Sequence, residues 1–368
     1  MTTTALPSAF LLRRAASALR ARPAIWVSLG AVVGALLVGV LLIHLLGVPV
    51  GEAVPAFAEG AWGSPYAIAA SLNRSLVFAL VGLGFVLAQR ANLTNVGGEG
   101  QIAVGGIAAT AVALHSHAAG LPLGLSYALP LLAACLAGGL WGGLAGVMKA
   151  KAGTNEVIAT LLLSFIATWL VYGSVQSTAL LRQPMSNSST LPESLEIPDP
   201  TKLPLLTGDP GFPLHLGLPL GLLLAVLVAV VLKHTVLGLR LRAVGLNPLA
   251  ARRAGISITG SVVGALFAAG ALGGLAGACM LQGEQYSLKA GFSSGFGYDG
   301  LVVGLLARGS VPGVIAGALL FGFLRSGGIN MEMVASVPTA LVVVIQGLII
   351  LMLAGAARAM DKSQGVAR

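Results

Sequence analysis

Apolar runs fall at about 24–46, 66–88, 101–118, 122–148, 156–176, 216–232, 258–281, 299–307, 313–325 and 335–356, with short polar stretches between them. A helix needs about 20 mostly apolar residues to cross the hydrocarbon core of a bilayer. Most of the runs reach that length. The two at 299–307 and 313–325 do not, and they read as half-helices joined near Arg308-Gly309-Ser310-Val311-Pro312. The pattern predicts an all-α polytopic membrane protein with about ten transmembrane segments, its membrane domain spanning 24–356 between short ends at 1–23 and 357–368. The longest interval, 177–215, is rich in Pro, carries Glu193, Glu196, Asp199 and Asp209, and has no helical period.

One interruption is of a different kind. Residues 92–106 read Asn-Leu-Thr-Asn-Val-Gly-Gly-Glu-Gly-Gln-Ile-Ala-Val-Gly-Gly, placing Asn92, Asn95, Glu99, Gln101 and five glycines between two apolar runs. Irregular backbone at membrane depth survives only where it faces protein or a water-filled cavity, and an intramembrane carboxylate marks a functional site by default. A short loop followed by a capped helix start is the plainer reading of the same residues. A second acid–Gly pair, Asp299-Gly300-Leu301-Val302-Val303, can be set against Glu99-Gly100-Gln101-Ile102-Ala103. Each follows a Gly-rich stretch and opens an apolar run, and the two runs travel in opposite directions. Inverted repeats with breaks at matching places point to a transport pathway, which makes Asn92, Asn95, Glu99, Gln101 and Asp299 its candidate lining.

Composition agrees with a membrane class: 56% of residues are hydrophobic and 9% charged, against about 25% charged in soluble domains. The 51 glycines suit helices that approach closely. The net charge of +9 is not a nucleic-acid signal, because Lys and Arg gather at the ends of apolar runs. With a cytoplasmic amino terminus, sixteen of them fall in cytoplasmic stretches. Arg182, Lys202, Lys289 and Arg325 fall outside, and Arg74 lies within a helix. The bias predicts both termini and 233–257 in the cytoplasm and 177–215 outside. The run at 24–46, after Arg13, Arg14, Arg20 and Arg22, is longer than a signal-peptide core and reads as a retained helix. Cys135 and Cys279 sit in apolar runs as small buried residues, and His115 and His117 lack companions for a metal set.

Within 233–257, Gly245-Leu246-Asn247-Pro248-Leu249-Ala250-Ala251-Arg252-Arg253-Ala254-Gly255 reads as a complete short helix. Asn247 suits the N-cap, Pro248 the first helical position and Gly255 a left-handed C′ position, with two arginines at the negative end of the dipole. Such a helix either lies on lipid headgroups or docks another protein. Asn155 likewise caps a helix whose first turn holds Glu156. The chain contains no G-x-x-x-x-G-K-[ST] phosphate loop, no G-x-S-x-G elbow and no H-E-x-x-H.

Taken together, these stretches resemble the permease subunits of bacterial ATP-binding-cassette (ABC) importers that handle nucleosides, simple sugars and branched-chain amino acids. Asn95-Val96-Gly97-Gly98-Glu99-Gly100-Gln101 is similar to that family's N-[IV]-G-x-E-G-Q element, and Asn155-Glu156-Val157-Ile158-Ala159-Thr160 to its N-E-V-I-x-T helix start. Ala243 through Ile256 matches the loop that touches the ATPase, and Gly297-Tyr298-Asp299-Gly300 with Gly313-Val314-Ile315 matches a late block. Thr94 and Gly98 depart from the usual pattern. The E-G-Q form is closest to the nucleoside branch. The resemblance implies a non-enzymatic permease in the bacterial inner membrane, working with a second permease subunit (homo- or heterodimer), a cytoplasmic ABC ATPase that holds the ATP, and an external substrate-binding protein. Asn247, Pro248, Ala250, Ala251, Arg252, Ala254 and Gly255 would form the ATPase contact, and this chain would bind no cofactor or metal itself. Three other assignments stay open on the residues: a branched-chain amino acid permease, a proton- or ion-coupled carrier using Glu99 and Asp299, and an intramembrane enzyme using the same acids.

Overall fold

In the computed structural model of the protein the described residues are 30–45, 47–122, 124–184 and 191–363. The expected segment 1–23 and the last residues of the expected tail lie outside them. The described residues are helical, with isolated β-bridges and no strand. In chain order the helices are α1 (Gly30–Leu45), α2 (Val50–Trp62), α3 (Pro65–Gln89), α4 (Gly98–His115), α5 (Leu125–Ala152) and α6 (Glu156–Gln176). They continue with α7 (Gly217–His234), α8 (Val236–Leu246), α9 (Pro248–Arg253), α10 (Ile258–Met280), α11 (Phe296–Leu306), α12 (Val311–Ala335) and α13 (Thr339–Ser363). Among the described residues α3, α5, α6, α7, α12 and α10 with its extension to Gln285 are long and apolar enough to cross a membrane; α1, α11 and part of α13 are shorter apolar helices.

Two expectations change. The run at 313–325 is not a half-helix, because α12 is 25 residues long and continues past Arg325, Ser326 and Asn330 to Ala335. Polar residues that look like a helix end in the sequence find acceptors within the fold, Arg325 Nη2 at the Ser294 carbonyl (3.0 Å) and Asn330 Nδ2 at the Ala56 carbonyl (2.7 Å). Helix α2, with Pro55 inside it, occupies a stretch from which the apolar pattern predicts no element.

The chain divides into two compact units. One comprises the described parts of 1–60 and 327–368, where Gly39, Gly327 and Gly328 leave room for Ile345, Phe57 and Val342. The other, 61–326, carries the candidate site. Its centre is α3, buried along most of its length and packed against α7, α10 and α11. The tightest seam joins α5 to α10. Gly138, Gly142 and Gly146 face Gly270, Gly274 and the backbone around Val263, so close that a Cβ on Gly274 would overlap the Ala134 carbonyl. Helix α4 joins this seam where Gly277 meets the Ile102 carbonyl. Lipid supplies no hydrophobic drive between helices, so this contact depends on small residues.

The second unit has two distinct ends. One carries 191–216, held by backbone bonds from Ser194 to Leu288, Ile197 to Tyr286 and Leu203 to Gln282, each 2.9 Å. The other gathers Arg90, whose Nη2 donates to the Gly309 carbonyl at 2.7 Å, with Gly245 against the Arg90 carbonyl and Lys149 paired to Glu156 at 2.6 Å. They are called the loop end and the basic end below.

Candidate functional site

The stretch 92–106 begins where α3 stops. Asn92 takes a left-handed conformation (φ 57°), which its short polar side chain tolerates, and its N–H donates to the Gln89 carbonyl at 3.0 Å. It is exposed and serves as a helix terminator at the basic end, apart from the other candidates.

After it the chain stays irregular until Gly98, deep in the unit, where α4 starts toward the loop end. There it meets the start of α11, which leads toward the basic end. The two helices begin face to face: a Cβ on Gly297 would strike the Glu99 backbone, and one on Gly98 would lie 3.0 Å from the Gly297 carbonyl oxygen. Glu99 joins them. Its Oε1 accepts from the Gly295 N–H and its Oε2 from the Gly297 N–H, both at 2.8 Å. One carboxylate therefore satisfies two of the orphan donors at the start of α11 while sitting in the first turn of α4, between the positive ends of two helix dipoles. Glu99 is 6% exposed, so its hydrogen-bonding capacity is directed into the protein.

Asn95 and Gln101 are paired with each other. The Asn95 Nδ2 donates to Gln101 Oε1 and the Gln101 Nε2 donates to Asn95 Oδ1, both at 3.1 Å, while the Gly97 N–H also reaches Asn95 Oδ1. Both are buried, Gln101 packing against Gly142 and Gly273. Helix α6 closes the break from the side: Thr160 Oγ1 accepts from the Val96 N–H at 3.1 Å and Ser164 Oγ from the Gly100 N–H at 3.2 Å. Thr160 closes the N-E-V-I-x-T element, but neither it nor Ser164 is a site candidate in the sequence reading. Their i, i+4 spacing on an apolar helix is the signal, because it aligns two hydroxyls on one face.

Asp299, one turn into α11, is separate from this knot. It lies 3.9 Å from Arg325, at the long limit of an ion pair, and its side chain is 17% exposed. Arg325 lies inside α12, not in an external stretch as the charge count has it; its Nη2 donates to the Ser294 carbonyl and its guanidinium stacks over Phe296 at 5.1 Å. Among the described residues no group of His, Cys, Asp and Glu is arranged to hold a metal.

At the basic end α9 forms as its sequence predicts. Asn247 Oδ1 accepts from the Ala250 N–H at 3.0 Å, Pro248 opens the helix, and Gly255 is left-handed at φ 77°. Asn247, Pro248, Ala250, Arg252, Ala254 and Gly255 are exposed, but Ala251 is buried against the protein's own body and offers no surface to a partner. Leu246 and Leu249 project instead, 80% and 71% exposed.

The loop end has its own built contact. Helix α10 ends in a wide π-turn, Leu281–Gln285, followed by Tyr286 at φ 55°. Gln282 Nε2 donates to the carbonyls of Thr201 (2.6 Å) and Tyr127 (3.0 Å), tying the loop to the helix end. Lys202 is held above the usual lysine range by Asp199 and Glu196. His215 packs on Gly283, and its Nδ1 accepts from the Gly217 N–H at 3.1 Å. Burial pushes its pKa down to about 4 from 6.5. An opened loop would bind more protons between those values, so the packed form loses stability as pH falls below about 6.5, and the loss saturates below about 4. The full effect is about 3 kcal/mol at most. Hydrogen exchange over 199–216 should accelerate between pH 7 and pH 4.5, and His215→Phe should flatten that response.

The fold and site define a multi-pass membrane protein of the transporter class, with two helices broken inside the helical body. The family model described as the branched-chain amino acid transport system / permease component matches residues 67–354, and the chain belongs to that family. It is a permease subunit of an ABC transporter, a transport component and not an enzyme. A glucose ABC transporter permease of Haloferax volcanii is 36% identical, over 79% of this chain and 76% of its own length. A guanosine ABC transporter permease of Bacillus subtilis is 32% identical, over 89% and 92%. A nucleoside ABC transporter permease of Lactococcus lactis subsp. cremoris is 29% identical, over 80% of each chain. No solved structure matches the chain significantly.

Proposed function

We propose that this permease carries a nucleoside inward across the bacterial plasma membrane, with a simple sugar as the next candidate. The guanosine permease carries this reading, because its similarity runs through nine-tenths of both chains, break and α9 included. Relatives named for glucose, guanosine and nucleosides share a neutral, hydroxyl-rich chemistry. In this reading the chain crosses the membrane about ten times as inverted halves, both termini and 233–257 cytoplasmic and 177–215 external. A second permease subunit completes the pore. ATP binds to a separate ATPase, whose motion reaches the pore through α9, and an external binding protein delivers the solute at the loop end. Asp299 lines the passage, Asn95, Glu99 and Gln101 hold the broken helices in shape beside it, and Asn92 ends α3. Leu249, projecting from the capped helix α9, supports α9 as the docking element, since burying an exposed apolar side chain against a partner is favourable.

Uptake of labelled guanosine, uridine, ribose and leucine by cells carrying the intact transporter tests the proposal. Nucleoside uptake that survives a protonophore and stops on ATP depletion is expected. Leucine uptake without nucleoside or sugar competition would overturn the substrate, and uptake driven by a proton gradient alone would overturn the mechanism. Leu249→Glu should leave membrane insertion intact, lower uptake at least about tenfold and release the ATPase on purification, since an unpaired charge at an apolar contact costs several kcal/mol.

A further inference from the structure

The polar side chains of the break bond to one another and to nearby backbone, whereas a second group of polar side chains is less completely partnered. Arg74, Glu284, Asp299 and Arg325 all belong to the unit 61–326. Measured from the basic end, Arg74 lies about 22 Å along α3 from its carboxyl end and Arg325 about 21 Å along α12 from its amino end. Both ends belong to helices that cross in opposite senses, so the two arginines share a depth. Arg74 Nη1 donates to Ser326 Oγ at 2.7 Å, beside Arg325 in sequence. Arg325 faces Asp299, and Glu284 sits half-buried on the π-turn that ends α10.

Among the described residues none of the four forms a tight ion pair. Arg325 and Asp299 are 3.9 Å apart, and Arg325 Nε is buried without a partner. All four residues are half-buried. Half-buried charge at this depth is not tolerated against lipid, so the face they share borders water, solute or protein. Two cations and two anions leave no net charge for a ligand to neutralise. The carboxylates accept hydrogen bonds from hydroxyls, and the guanidinium groups donate to hydroxyl and carbonyl oxygens.

We propose that Arg74, Glu284, Asp299 and Arg325 are the solute-contacting residues of the passage, reading the hydroxyls of a neutral solute through the two carboxylates and its carbonyl or hydroxyl oxygens through the two guanidinium groups. The inference rests on the nucleoside reading for its choice of solute. It places recognition on this surface and not on Glu99, Asn95 or Gln101.

The test is a cycle between side chain and solute in cells carrying the intact transporter. KM for uridine, 2′-deoxyuridine and 3′-deoxyuridine is measured for wild type, Asp299→Asn, Glu284→Gln and the exchanged pair Asp299→Arg with Arg325→Asp, with membrane abundance measured for each. Asp299→Asn or Glu284→Gln should raise KM for uridine about tenfold or more. The same change should move KM by less than about twofold for the analogue lacking the hydroxyl that the carboxylate holds. The exchanged pair should not restore uptake, because the solute still meets the wrong partners. If one variant fails to accumulate, the other provides the same cycle. Equal effects on all three solutes, or recovery in the exchanged pair, would overturn the inference in favour of an ion pair that only holds helices or subunits together. Unchanged KM in both variants would overturn it as well. Those results, obtained with normal wild-type nucleoside uptake, leave the substrate reading standing; wild-type uptake of leucine alone would overturn both.

Discussion

Glu99→Ala is expected to abolish uptake and to lower stability by several kcal/mol. The substitution leaves the Gly295 and Gly297 amides without their acceptor, and each buried, unsatisfied donor costs about 1–3 kcal/mol. It also removes the charge between two helix starts, so α4 and α11 lose the group that joins them. Glu99→Gln is the more telling change. Its amide oxygen can accept one of the two N–H groups, but its NH₂ then faces the other donor, so the variant should lose most uptake despite its shape. Glu99→Asp, one methylene shorter, cannot span both amides and should resemble Gln. Uptake measured beside thermal unfolding of the purified protein checks this. Near-normal uptake and melting in the Gln variant would remove Glu99 from its anchoring role and return it to the passage.

Gly274→Leu is expected to prevent accumulation of folded protein. A Cβ there already meets the Ala134 carbonyl and lies 3.1 Å from Gly138 Cα, so the clash is with backbone that has no rotamer to escape into. Overpacking a well-packed site costs about 1–3 kcal/mol. Here α5 and α10 must separate along the whole Gly138–Gly146 seam, which raises the cost and also pulls α4 away through Gly277. Gly264→Leu on the same helix is the control, because nothing lies within 4 Å of its Cβ position. Membrane abundance and detergent melting should collapse for the first and stay near wild type for the second. Equal abundance would show that the seam tolerates separation.

The two experiments address different properties of one arrangement. The glycine seam sets how near α4 can come to α10, and that distance decides whether Glu99 reaches the start of α11. A partial loss at Gly274, for instance with Ala, should therefore weaken uptake along with stability. Changes at Asp299 or Glu284, which lie outside the seam and the anchor, should alter KM with little change in melting.

What the sequence alone determined is local. The crossing helices follow from runs of about 20 apolar residues, and the starts of α6 and α9 follow from Asn155 and Asn247, whose side chains cap donors two or three residues away. An interruption within 92–106 was legible too, because asparagine, glutamate and glycine rarely interrupt apolar runs in lipid without a protein or water-filled face, but only the fold limits the irregular part to the residues before Gly98. The tertiary structure decided the partners. Glu99 meets amides 196 and 198 residues away, and those donors are backbone groups that no side-chain pattern announces. Asn95 and Gln101 look like free ligands until their mutual pairing is seen, and Ala251 looks available until its burial is. Arg325 reads as a loop residue because charge in an apolar run suggests an end, whereas the fold keeps it in mid-helix by supplying Ser294, Asp299 and the Phe296 ring. Local propensity acts over a few residues and is written in the chain's order, but satisfaction of a buried polar group depends on what folding brings beside it.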